Sequence, residues 1–60
     1  MKNPFAVMIK NENGYKAYMW SSKATLEEAI ACAENVKNWE RVASVYVRDR
    51  NAKKVVYIAK

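Results

Sequence analysis

Histidine is absent from the chain, and cysteine, glycine and proline each occur once in its 60 residues. Without histidine, the commonest general base in catalysis is missing and the usual Cys/His sets that hold zinc cannot be assembled. A single cysteine, Cys32, excludes an intrachain disulfide, so neither of the staples that small domains commonly use is available. Cys32 therefore reads as a small buried hydrophobe. The lone glycine, Gly14, cannot build a glycine-rich phosphate loop. Long apolar runs are missing as well. The stretch from Phe5 to Ile9 stops at Lys10, whereas a membrane-spanning helix needs about 20 apolar residues. That stretch is also too short for the apolar segment of a signal peptide. A free thiol without an export signal implies a reducing compartment, so a cytoplasmic location is expected, with no metal, no cofactor and no membrane partner.

What the chain does have is apolar content. Hydrophobic residues make up 52% of the sequence and charged residues 28%, values that suit a folded domain rather than a disordered tail. The length allows one domain, spanning 1–60. A domain of this size buries only about 60% of its unfolded surface, so packing across a subunit interface would help it. Charge is unevenly distributed around the net value of +5. Residues 25–40 hold Glu27, Glu28, Glu34 and Glu40 against Lys37, a net of −3; the remainder holds ten Lys/Arg against Glu12 and Asp49, a net of +8. Such a layout can steer an acidic partner or support charge-complementary self-association.

Periodicity places five elements on the chain. Residues 4–10 alternate as a first strand, with Pro4 tolerated only near its start. Asn13-Gly14 is the strongest short hairpin signal, because both residues accept the positive φ of a type I′ turn. Residues 15–20 form the returning strand. A two-residue loop sets Ile9 opposite Tyr18 and Val7 opposite Trp20 on one face, and Met8 opposite Met19 on the other. Ser21-Ser22-Lys23-Ala24 breaks the pattern. Thr25 then reads as a helix N-cap, with Glu28 completing a capping box and Glu27 suited to the positive helix start. Leu26, Ala29, Ile30, Ala33 and Val36 recur at helical spacing, with Glu27, Ala31, Glu34 and Asn35 opposite them. Lys37-Asn38 marks the helix end, with Asn38 able to adopt the left-handed conformation. Residues 43–48 and 54–59 are two further strands. A loop closed by Asp49 and Lys54 places Val45, Val47, Val56 and Ile58 on a purely aliphatic face, and Tyr46, Arg48, Val55 and Tyr57 on the other. The expected fold is α+β: a ββαββ domain in which two hairpins make an antiparallel sheet and one helix packs on one face. Its core is expected at Val7, Ile9, Leu26, Ile30, Ala33, Val45, Val47, Val56 and Ile58.

No catalytic constellation emerges from these elements. Ser21, Ser22 and Cys32 lack an activating partner, and Glu27 with Glu34 reads as a solvated helix face, so the chain is not expected to be an enzyme. Binding is the better reading. One helix covers one sheet face, yet both hairpins carry large apolar groups on both faces. Met8, Met19, Tyr46, Val55 and Tyr57 would then form an exposed apolar patch of the kind that marks an interaction site. Trp39, just past the helix, reads as a plug over one end of the core or as an interface anchor. Lys10, Lys16, Arg48, Arg50, Lys53 and Lys54 would rim the patch. Alternatively, these cations interleaved with Tyr15, Tyr18, Trp20, Tyr46 and Tyr57 would neutralise phosphates and stack bases, although no RRM-type or KH-type signature is present.

The run Thr25-Leu26-Glu27-Glu28-Ala29, followed by Val45-Tyr46-Val47-Arg48-Asp49 and Val55-Val56-Tyr57, resembles many short proteins of phages and mobile elements. That resemblance implies a protein that binds and blocks a host macromolecule, and it transfers no functional residues. The expectation is therefore a small protein-binding module, inhibitor- or adaptor-like and homodimeric, that occupies or masks a partner's surface. A small basic nucleic-acid-binding protein is the alternative.

Overall fold

The computed structural model describes residues 3–14 and 16–60. Runs rich in β-branched and aromatic residues extend as strands β1 (Phe5–Asn11), β2 (Tyr18–Lys23), β3 (Val42–Asp49) and β4 (Lys54–Ile58), and helix α1 (Leu26–Val36) falls between β2 and β3. All pairings are antiparallel and the order across the sheet is β2-β1-β3-β4. The expected ββαββ fold, one open sheet with a single helix on it, is what forms. Helix α1 carries the chain from one edge, β2, back to the centre, so that β1 and β3 pair with each other and the two hairpins share one sheet.

Helix α1 begins where the capping box places it. Thr25 is extended (φ −123°, ψ 155°), and its hydroxyl accepts from the Glu28 amide at 3.3 Å. This satisfies one of the amides orphaned at the helix start, while Glu27 and Glu28 complement the dipole. The small side chains Ala29 and Ala33 let α1 lie close against β1 and β3. The resulting core is Val7, Ile9, Val42, Val45 and Val47 from the sheet against Ala29, Ala33 and Val36 from the helix. Of the expected core, Leu26, Ile30 and Val56 are only partly buried, whereas Val36 and Val42 are fully enclosed.

Two expected turns differ. Neither Asn13 nor Gly14 takes a positive φ, and β1 and β2 are separated by more than the two residues of a type I′ turn. Instead the Gly14 amide donates to the Asn11 carbonyl at 3.0 Å, and the Glu12 amide donates to the Arg41 carbonyl at 2.9 Å. The loop thus holds a turn over residues 11–14 and is also tied to the chain entering β3. Tyr15, the expected start of the returning strand, lies outside the described residues. At the helix end Lys37 stays right-handed, and Asn38 caps through its side-chain amide, 3.5 Å from the Glu34 carbonyl, not by adopting the left-handed conformation. Among the described residues the left-handed ones are Arg41 (φ 68°) and Lys53 (φ 56°).

The larger correction concerns register. Ile9 faces Tyr18 and Met8 faces Met19, as expected, but Val7 faces Ser21, which leaves Trp20 as a bulge. Pairing then runs on through Ser21–Lys23, polar residues whose backbone groups complete the ladder with β1. In the second hairpin Asp49 faces Lys54 and Arg48 faces Val55, again as expected. Beyond them Val47 faces Tyr57 and Tyr46 faces Ile58, so Val56 is the bulge. One inserted residue exchanges the faces of everything after it. Tyr57 therefore belongs to the helix side and Ile58, expected in the core, is 71% exposed on the outer side.

Candidate functional site

Because α1 lies over the two central strands, each edge strand makes a contact on the helix side at its bulge: β4 reaches α1 itself, and β2 reaches Trp39, just past the helix end. On the β4 side, the Tyr57 hydroxyl donates to the Glu34 carboxylate, which also pairs with Lys37. The Lys37 ammonium first, and then the Tyr57 hydroxyl, hold the Glu34 carboxyl below the usual carboxylate range. Hydrogen bonding to Glu34 reciprocally raises Lys37, and it raises the Tyr57 phenol by favouring its protonated form. On the β2 side, bulged Trp20 meets Trp39 edge-to-face, with ring centroids 4.8 Å apart and planes at 82°. Both rings keep nearly half their surface open, and Trp39 also borders a cleft with Asn11, Asn13, Tyr18, Glu40, Arg41 and Val42. Trp39 is thus a partner for Trp20 beside the core, and the structure does not bring it to the outer face.

The outer face collects alternate residues of the central strands: Ala6, Met8 and Lys10 from β1, and Ser44, Tyr46 and Arg48 from β3. Met19 on β2 and Val55 and Ile58 on β4 extend it to both edges. An open groove of about 470 Å³ crosses it, with Ala17, Tyr46, Val55 and Ile58 as the apolar lining and Lys10 and Lys60 among its borders. Of the expected interface, Met8, Met19, Tyr46 and Val55 do share this face. Tyr57 does not, because the Val56 bulge turns it toward α1, and Ile58 takes the outer position.

The expected cations divide among several places. Lys10 and Arg48 occupy outer-face positions, and Arg50 reaches the same face by setting its guanidinium 3.4 Å from the Met19 sulfur. Lys16 is exposed in the segment between β1 and β2. Lys53 and Lys54 sit at the β3–β4 turn, where the Asp49 carboxylate accepts from the amides of Asn51 (2.9 Å) and Ala52 (3.2 Å). Lys60 was not foreseen; its ammonium donates to the Val42 carbonyl at 2.6 Å while its side chain borders the groove. No composition or spacing signal announces Ile58 as a surface residue, since its placement follows from the bulge.

Among the described residues no strand position on this face carries a carboxylate. Asp49 pairs on the helix side with Phe5 and Lys54; Glu27, Glu28 and Glu34 are on α1; Glu40 lies beyond the helix and Glu12 in the turn after β1. Among the described residues no three of His, Cys, Asp and Glu converge on a common point, and no helix is long and apolar enough to cross a membrane. Comparison of the chain with protein-family models, with curated proteins and with solved structures finds no match.

Proposed function

We propose that this chain is a small non-enzymatic protein-binding module that works by occupying or masking a partner's surface, with the outer sheet face as its contact area. One observation carries the reading: Val55 and Ile58 stand 48% and 71% exposed beside Tyr46 on a face that no described helix or strand covers. An aliphatic side chain left in water gives up roughly 25 cal/mol for each Å² of apolar surface that a partner could remove. Neighbouring exposures of this kind mark interaction sites. The free Cys32 thiol supports a cytoplasmic setting for this activity.

The expectation of a homodimer takes a narrower form. Two-fold pairing of outer faces would bring the Lys10 and Arg48 cations of both copies into one interface, whereas β2 and β4 are sheet edges with backbone groups available for pairing. Edge pairing is thus the form of self-association that fits the charge pattern, and light scattering over a range of concentrations checks it. Nucleic-acid binding draws support from the net charge of +5. Its stacking platform is divided, however, because Tyr46 is on the outer side whereas Tyr18, Trp20 and Trp39 are on the helix side.

Affinity capture from the native host, run in parallel with the wild-type chain and with Ile58→Glu, tests the proposal. A protein retained by the wild type and lost with the variant supports it. Recovery of the same proteins by both would remove the outer face from the interaction.

A further inference from the structure

The charge pattern of the outer face narrows the kind of partner it fits, and this step rests on the protein-binding reading above. We infer that the occupant is an acidic, amphipathic segment of another protein: two or three apolar side chains flanked by Asp or Glu.

Two independent features of the face lead there. Among the described residues the floor is aliphatic at most of its positions, with Met8, Met19, Val55 and Ile58 around the ring of Tyr46. Aliphatic side chains match apolar side chains of a peptide; they offer nucleobases little to stack on. The rim is cationic at its strand positions, since Lys10, Arg48 and the Arg50 guanidinium approach the face and no described strand position on it holds Asp or Glu. A rim of one sign rejects a partner of the same sign and speeds the encounter with one of opposite sign. A second copy presenting its own outer face is disfavoured for that reason. Apolar side chains would seat in the groove beside Val55 and Ile58, and flanking carboxylates would reach Lys10 and Arg48.

The test is selection of a random-peptide display library on the immobilised full chain, with counter-selection on Ile58→Glu. Ile58 is 71% exposed, so Glu is accommodated there, and an unchanged thermal melt verifies that the variant is folded. Enriched sequences should combine apolar residues with Asp and Glu. A synthetic peptide of the enriched sequence, followed by fluorescence anisotropy, should bind Ile58→Glu at least about tenfold more weakly than wild type. Lys10→Glu with Arg48→Glu should slow its association and flatten the salt dependence.

Enrichment of neutral or basic peptides that still depend on Ile58 would overturn the acidic partner while leaving the protein-binding reading intact. Absence of any Ile58-dependent peptide would overturn both. Tighter binding of labelled oligothymidylate or of phosphatidylserine vesicles than of the selected peptide would replace the inference with a nucleic-acid or lipid ligand. Enrichment of sequences resembling residues 26–36, together with a solution mass above that of a monomer, would replace it with a second copy docking its own acidic helix.

Discussion

On its helix side the sheet is closed: Val7, Ile9, Val45 and Val47 are fully enclosed against Ala29, Ala33 and Val36. On the other side Met19, Val55 and Ile58 stay open to solvent, with cations around them. Both faces draw on the same apolar residue types, so hydrophobicity alone does not separate core from surface here. The difference is made by the helix, which covers the central strands, and by two one-residue bulges that decide what the edge strands send to each side. A face that contributes to folding and a face left over from folding should respond differently to substitution, and that contrast can be tested at several strengths.

The largest effect belongs to the closed face. Ile9→Ala removes an enclosed side chain from the central strand and should cost about 2–5 kcal/mol, a large share of the total stability of so small a domain. Urea unfolding monitored by tryptophan fluorescence checks it. Thr25→Ala, which removes the hydroxyl that caps α1, should cost about 1 kcal/mol by the same assay. A double-mutant cycle on Trp20→Ala and Trp39→Ala should show a coupling of about 0.5–1.5 kcal/mol, the usual worth of an edge-to-face pair beyond its buried area.

Glu34→Gln loosens the tie between α1 and β4 in a pH-dependent way. The folded-state carboxyl titrates below the value of 4.5 it has when unperturbed, so its stabilisation is complete above that pH and is lost as pH falls through the lower folded value. The wild type should therefore exceed the variant in melting temperature at neutral pH, with the gap closing in acid. A second loss should come at high pH, as the raised Tyr57 phenol finally ionises and the raised Lys37 ammonium is neutralised. Smallest of all is the effect at the open face: Ile58→Ala should change stability by no more than about 0.5 kcal/mol, as expected for a surface position.

Local signals made the element order readable from residues alone. The Thr25/Glu28 box marks the helix start, the apolar stripe marks its buried side, and Asp49 with Lys54 closes the second hairpin where expected. Pairing of Ile9 with Tyr18 and of Met8 with Met19 followed from turn position and alternation. What stayed hidden depends on contacts made at long range. Trp20 bulges where it can meet Trp39, nineteen residues on, and Val56 bulges where Tyr57 can reach Glu34. Alternation within β4 cannot reveal this, because Val55, Val56, Tyr57 and Ile58 are all apolar and either register hides hydrophobic surface. The same ambiguity misplaced two residues of the candidate site, adding Tyr57 and omitting Ile58. Asn13-Gly14 is a related case. Its turn preference yields to the bond between the Glu12 amide and the Arg41 carbonyl, while Lys53 accepts the left-handed backbone that Asn or Gly would take more readily.

Which residues of β4 face outward decides what the open face presents to a partner, and that is directly measurable. Nuclear Overhauser contacts in the full chain should connect the Ile58 methyls with the Tyr46 ring, and the Tyr57 ring with the Glu34 side chain on α1. Contacts from Ile58 to Ala33 or Val36, with the Tyr57 ring beside Tyr46 instead, would mean that β4 runs without its bulge, and would contradict both the placement of the open face and the partner inferred from it.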